Sequence, residues 1–84
     1  KVQLATAWPD YVFHPAYKLR TFDELRQFIR NNNHLPNIPE ASVIEQEGIN
    51  VGDMHKRTIE KIEELTLYIL QLEERIQKLE QLTR

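Results

Sequence analysis

Residues 62–79 read IEELTLYILQLEERIQKL, and their apolar residues recur at alternating steps of three and four. Isoleucine occupies the a positions of this heptad pattern and leucine the d positions, at Ile62, Leu65, Ile69, Leu72, Ile76 and Leu79. A repeat of about 3.5 residues keeps one apolar stripe facing a partner helix, which is typical of a coiled coil. The stretch therefore predicts a helix that associates with further copies of itself.

The helix is predicted to begin well upstream, so that residues 51–84 form one coiled-coil segment. No proline occurs in this range, and the side chain of Asn50 can cap the first turn. A helix of ~33 residues is ~50 Å long, which is more than a small head can cover. Its first layers are small or polar, with Val51 and Thr58 at d and His55 at a. Such layers cost stability but can fix the register of the chains.

The a and d residues and the residues beside them indicate how many chains associate and in which direction. Isoleucine at a with leucine at d favours two parallel strands. Ile59 at e and Tyr68 and Leu82 at g widen the apolar stripe, and a wider stripe is easier to bury among three helices. Arg75 at g can pair with Glu80 at the following e position of a neighbouring parallel chain. We therefore expect a parallel homotrimer, with a parallel homodimer as the alternative.

The first part of the chain, residues 1–50, predicts a small α+β head. Val2 and Leu4 alternate with polar residues as in a short strand. An aromatic-rich segment follows, in which Pro9 and Pro15 exclude a helix. We expect this segment to be extended and packed against the rest of the head.

Two short helices are expected in the remainder of the head. Thr21 followed three residues later by Glu24 has the sequence of a capping box, which predicts a helix over about residues 22–31. After a proline-containing loop, a shorter helix is expected over about residues 40–47, closed by Gly48. The predicted fold class is thus mainly α, an α+β head followed by a trimeric coiled coil.

The aromatic and apolar residues of the head are expected to form its core. They are Trp8, Tyr11, Phe13, Tyr17, Phe22, Leu25, Phe28 and Ile29. Leu67 and Leu70 lie at the outward positions f and b, and two adjacent outward leucines predict that a head, its own or a neighbour's, covers them. An alternative interpretation makes the aromatic cluster a ligand- or glycan-binding surface.

Composition excludes several classes of function. The chain has 84 residues and no cysteine, so disulfides and thiolate metal sites are excluded and oligomerisation is the remaining way to stabilise a small core. Eleven basic residues stand against 13 acidic ones without a basic cluster, which argues against nucleic-acid binding and a polybasic membrane anchor. No apolar run approaches the ~20 residues that span a bilayer, so membrane insertion is not expected.

Catalysis and cofactor binding are not expected either. The single serine, Ser42, has no histidine near it in sequence, which disfavours a nucleophile. His14, His34 and His55 do not follow a metal-binding spacing such as His-Glu-x-x-His. We therefore expect no enzyme activity, no metal and no cofactor.

Several short motifs are spread over nearly the whole chain. They are Trp8-Pro9-Asp10-Tyr11-Val12-Phe13, Tyr17-Lys18-Leu19, His34-Leu35-Pro36-Asn37-Ile38-Pro39, Gly48-Ile49-Asn50-Val51-Gly52-Asp53-Met54 and Lys61-Ile62-Glu63-Glu64-Leu65-Thr66-Leu67-Tyr68. Together they resemble the C-terminal end of bacterial and phage tail-fibre-type proteins. The resemblance implies a trimeric fibre shaft upstream and a C-terminal region that aligns three chains, sometimes together with an intramolecular chaperone of the endosialidase type.

The resemblance also implies an extracellular or virion-associated location. Endosialidase-type chaperones can cleave themselves from the fibre, but the residues that carry this cleavage are not recognisable in the present sequence. Only the assembly role is therefore carried over. The sequence as a whole predicts a non-enzymatic oligomerisation module of a fibre-like protein, with a receptor- or glycan-binding fibre tip as the alternative.

Overall fold

The computed structural model describes residues 10–48 and 50–83 of the chain. Within these residues the chain forms three helices, which run in the order α1 (Phe22–Asn32), α2 (Ala41–Glu47) and α3 (Val51–Leu82). The prediction of a mainly helical fold with one long C-terminal helix is confirmed. The segments between the helices are turns and extended chain.

The predicted strand cannot be compared with this structure. Val2 and Leu4, on which it was based, lie outside the described residues, and so does Trp8 of the expected core. The part of the chain from residue 10 onward that the structure describes contains no strand.

Helix α1 begins with the capping box that its sequence predicts. The hydroxyl of Thr21 accepts a hydrogen bond from the Glu24 N–H at 3.1 Å, and Oε1 of Glu24 accepts one from the Thr21 N–H at 2.9 Å. These hydrogen bonds to Thr21 lower the pKa of the Glu24 carboxyl. The helix ends at Asn33, whose φ of 60° is left-handed and whose N–H donates to the Ile29 carbonyl.

Helices α2 and α3 also start and stop where local chemistry favours it. Gly48 closes α2 with a φ of 81°, a conformation that side chains with a Cβ atom rarely adopt. Asn50 then caps α3, because its Oδ1 accepts a hydrogen bond from the Asp53 N–H at 2.9 Å. From there α3 continues for 32 residues.

The head packs on α3 through its loops more than through its helices, since no two of the three helices are in close backbone contact. Val12 is the most buried hydrophobic side chain at 1% exposure, and Pro36 is buried as well. The ring of Phe22, at the start of α1, packs on the ring of Tyr68 with centroids 5.0 Å apart. The head core is therefore small and lies against the middle of α3.

The residues that the sequence assigned to the head core are buried to different extents. Tyr17, Phe22, Leu25 and Phe28 are half-buried, which follows from the peripheral position of α1. The other three with described positions lie at the surface, namely Tyr11, Phe13 and Ile29. Val12, which the sequence had not singled out, takes the central position instead.

The chain exposes more surface than a compact protein of its mass. A compact monomer of this size, 10.0 kDa, is expected to expose about 5,200 Å², whereas this chain exposes 7130 Å². The difference is comparable to the area that a standard protein–protein interface buries in total, about 1,600 Å².

Replacing Val12 by Ala tests the placement of the core. The variant loses buried methyl groups and leaves a cavity, so the free energy of unfolding should fall by about 2 kcal/mol. Urea unfolding followed by circular dichroism at one fixed protein concentration measures the change. The control is the neighbouring Phe13→Ala, because Phe13 is 57% exposed and its loss should change stability little. Equal losses for both variants would contradict the position of Val12 in the core.

Candidate functional site

The largest exposed apolar feature is the stripe that we call the seam, formed by the a and d residues of α3 from Ile62 to Leu79. Each of its six side chains is between 44% and 64% exposed. Isolated exposed leucines are common on proteins, but a contiguous apolar stripe of this length is not. The seam is thus the strongest candidate for a functional surface.

The seam continues towards the start of α3 through smaller residues. Val51 is 77% exposed, and His55 and Thr58 also lie at the surface. The Thr58 hydroxyl donates to the Met54 carbonyl at 2.8 Å, so its polar group is already satisfied within the helix. A threonine bonded in this way can enter an interface at a lower desolvation cost.

The residues at positions e and g, on either side of the seam, differ in how exposed they are. Ile59 is half-buried, and Leu82, near the end of α3, is 81% exposed. Arg75 and Glu80, which the sequence pairs between chains, are both exposed. These positions leave the lower half of α3 open on every side, since all described residues from 69 onward are exposed.

The head occupies the side of α3 that faces away from the seam. Its hydrogen bonds and ring contacts reach the helix at Arg57, Glu60, Glu64 and Tyr68. In the heptad Arg57, Glu60 and Glu64 are at c, f and c, roughly opposite the stripe formed by a and d, and Tyr68 at g lies beside it. The head therefore leaves the seam uncovered.

One pair of contacts anchors the head at Glu60. The Tyr11 hydroxyl donates to Oε2 of Glu60, and Nδ2 of Asn37 donates to Oε1 at 2.9 Å. Lys61 lies beside this carboxylate, with Nζ 3.3 Å from Oε1. The Asn37 carbonyl in turn accepts from Nη1 of Arg57 at 3.3 Å. Glu60 is only 6% exposed, and its charge is compensated by this set of donors.

A second pair of contacts lies about one turn further along α3. The Tyr17 hydroxyl donates to the Glu64 carboxylate, which also accepts from Nζ of Lys61 at 2.7 Å. The Tyr68 hydroxyl donates to the Arg20 carbonyl at 2.8 Å. The rings of Tyr11 and Tyr17 lie 5.8 Å apart, so the two anchoring phenols are neighbours. Together these contacts fix the segment from Tyr11 to Arg20 along the helix.

The anchoring contacts change the acidity of the groups that form them. Burial raises the pKa of Glu60. Hydrogen bonds from Tyr11, Asn37 and Lys61 lower it, and because their combined effect is larger, the pKa of Glu60 lies below its usual range. The pKa of Tyr11 is raised to about 12, first by burial and then by its bond to Glu60. Burial and the bond to Glu64 likewise raise the pKa of Tyr17. Near neutral pH the contact at Glu60 thus joins a protonated phenol to an ionised carboxylate.

The structure places Tyr68 and the leucine pair Leu67 and Leu70 differently from what the sequence predicts. Tyr68, assigned to the oligomer interface, is 8% exposed and lies under the head of its own chain, because Phe22 and the Arg20 carbonyl hold it there. Of the two leucines expected beneath a head, Leu67 is half-buried and Leu70 is 51% exposed. The head that covers Tyr68 therefore leaves Leu70 largely open.

A small-molecule pocket, a metal site and a membrane-spanning helix have less support in the described residues than the seam has. A cavity of about 290 Å³ lies between α2 and the start of α3, walled by Pro39, Val43, Ile44 and Met54. Arg57 at its polar end is paired with Asp53 at 2.9 Å. Within residues 10–48 and 50–83 no three His, Asp or Glu side chains come together as a metal site. The helices of the described chain lack the combination of length and hydropathy that spans a membrane.

The tyrosine contacts predict how stability depends on alkaline pH. The pKa values of Tyr11, Tyr17 and Tyr68 are all raised in the folded chain, so the unfolded chain, with tyrosine pKa values of about 10, releases its protons first. The stabilisation is therefore complete below about pH 10 and is lost as the pH rises towards 12. Ultraviolet titration of tyrosinate should give a higher midpoint for the native chain than for the chain in urea. Coinciding midpoints would contradict the buried hydroxyls.

Comparison with known protein-family models, with curated proteins and with solved structures finds no match to this chain. What the chain does must therefore be inferred from its own residues and their arrangement.

Proposed function

We propose that this chain is a non-enzymatic self-association module, in which the seams of several α3 helices pack together in a parallel coiled coil. The observation that carries the proposal is the seam itself, six isoleucine and leucine residues that are each about half exposed on a helix whose opposite side holds the head. A fibre-like protein in which such a module aligns the chains is the context that the resemblance to tail-fibre C-terminal regions suggests.

The energetics favour association through this stripe. Fully burying a leucine or isoleucine side chain contributes about 1.5–3 kcal/mol, and each layer of the coil buries one such residue from every chain. The single chain has little else to stabilise it, because Val12 and Tyr68 are its only buried hydrophobic residues among those described. Association and the stability of the long helix are therefore expected to depend on each other.

The charges beside the seam support a parallel arrangement. Arg75 lies at g and Glu80 at the following e position, and both side chains are exposed. Parallel packing places the g side of one helix beside the e side of the next, so opposite charges meet. Antiparallel packing would instead bring g beside g and e beside e, and like charges would then face each other.

Three chains are proposed, with two as the alternative. Because Tyr68 is occupied by its own head, the extra apolar width that favours three chains comes from Ile59 and Leu82. The Ile-at-a and Leu-at-d pattern favours two. Either number is compatible with a head on the outer face of the helix, since the head does not enter the seam.

A receptor- or glycan-binding tip is the other function that the sequence leaves open. Such a surface needs exposed aromatic rings whose polar groups are available to a ligand. The hydroxyls of Tyr11 and Tyr17 are instead bonded to Glu60 and Glu64. Phe13 is 57% exposed, but one aromatic side chain on a turn does not form a cleft. The observations therefore favour assembly.

Sedimentation equilibrium of the chain and of Ile69→Asp tests the proposal. We expect the mass of a trimer for the native chain at micromolar concentration. Ile69→Asp places a carboxylate in one buried layer of every helix, so the variant should be monomeric and should lose most of its helical circular dichroism.

The matched control is Gln71→Asp, which adds the same charge two residues further on, at an exposed c position outside the seam. It should leave the mass unchanged. A monomeric native chain would refute self-association, and a dimeric one would refute only the number of chains. An Ile69→Asp variant that keeps the native mass would show that the seam is not the interface.

A further inference from the structure

We propose that the head of each chain also packs on the neighbouring helix, against the face formed by Glu63, Thr66, Leu70 and Glu73, here called the flank. The partner is a second copy of this chain, and the inference rests on the proposed parallel self-association. It adds a second contact to the seam, in which one chain completes the head packing of another.

The first support is the uneven cover that the head gives to α3. At the level of Tyr68 the head covers the g side of the helix. Phe22 stacks on Tyr68 there, and the Arg20 carbonyl accepts a hydrogen bond from the Tyr68 hydroxyl. On the other side Leu70, at b, is 51% exposed although only two residues away. Each chain thus offers one covered side and one open apolar side.

Parallel coiled-coil geometry brings these two sides together. The g side of one helix lies next to the e side of its neighbour, and the two helix axes are only about 10 Å apart. The head reaches the g side of its own helix at Tyr68, so this edge of the head is the one nearest to the neighbouring helix. With the helices in register, a head anchored at Glu64 and Tyr68 lies at the same height as the neighbour's Thr66 and Leu70.

The apolar surface of α1 provides a matching contact. Leu25 and Phe28 are half-buried and Ile29 is 41% exposed, and α1 has no fully buried residue. Phe22, at its first turn, stacks on Tyr68 of α3, whereas Phe28 packs on His34 and Arg20 of its own head. The apolar face of α1 is therefore incompletely covered within one chain, as is Leu70.

The charges on the two surfaces are complementary. The edge of the head beside Tyr68 carries the exposed bases Lys18 and Arg20. The flank carries Glu63 and Glu73, one on each side of Leu70 along the helix. Glu63 is half-buried beside its own head, where its charge acts on Tyr11, so the exposed Glu73 is the carboxylate that a base from the neighbouring head would meet.

Site-directed photocrosslinking tests this arrangement directly, because the native chain has no cysteine. Leu70→Cys is labelled with a benzophenone maleimide in an oligomer assembled from equal amounts of ¹⁴N and ¹⁵N chains. After irradiation, mass spectrometry distinguishes links within one chain from links between chains. We expect links from position 70 to the segment 18–29, with several-fold more mixed-isotope product than from the control.

The control is Gln77→Cys, which carries the same label at the same b position one heptad further along, beyond the reach of the head. Thr66→Cys, at an exposed e position, provides a second labelled site if the change at Leu70 weakens folding. Circular dichroism and sedimentation equilibrium confirm that each labelled chain is helical and associated.

The outcomes separate this inference from the proposed function. Mixed-isotope links from positions 66 or 70 to the head support it. An oligomer in which both positions link only within a chain, or no more than Gln77→Cys does, overturns the inference and leaves self-association intact. A monomeric native chain overturns both.

Discussion

The described head covers only part of the longest helix, and the rest of the structure depends on this constraint. Helix α3 has 32 residues, whereas the hydrogen bonds and ring contacts that it makes with the described head lie between Arg57 and Tyr68. Beyond that region all described side chains are exposed. Helices in proteins are stabilised mainly by tertiary packing of an apolar face. The apolar face of α3 is therefore largely uncovered within the single chain.

Polar contacts hold the head, whereas the apolar surface remains for association. The contacts with Glu60 and Glu64 join phenols and Lys61 to carboxylates that are mostly buried. Contacts of this kind are directional, because a hydrogen bond weakens steeply when its angle is wrong. They can thus fix the head on one side of the helix without drawing on the apolar residues. One face of α3 therefore anchors the head, and another face keeps its apolar residues exposed.

The features that could be predicted from the sequence are the local ones. The capping box at Thr21, the cap at Asn50 and the closing Gly48 each depend on neighbours within a few residues, and their chemistry can be recognised directly. The period of the seam is likewise a local pattern, so the faces of α3 follow from it. The confirmed helices are those with such signals.

The arrangement of the head could not be predicted in the same way. The bond from Tyr11 to Glu60 joins residues 49 positions apart, and no spacing in the sequence marks such a pair. Val12 stands between two larger aromatic residues, and no pattern in the sequence marks it as the most buried of the three. Tyr68 has the right heptad position for an interface, but tertiary packing against Phe22 decides its environment instead. Position on a helix face limits the possible neighbours without identifying them.

In the proposed coiled coil, the confinement of the head to the first half of α3 makes the length of the coil independent of the head. All hydrogen bonds from the described head residues to α3 end at or before Tyr68, and the seam continues for several layers after it. Insertion or deletion of seven residues below Leu72 would keep every layer in phase. A change of any other small size would rotate the later layers away from the earlier ones. The spacing between the head and the end of the coil can therefore vary only in steps of about 10 Å, the rise of one heptad.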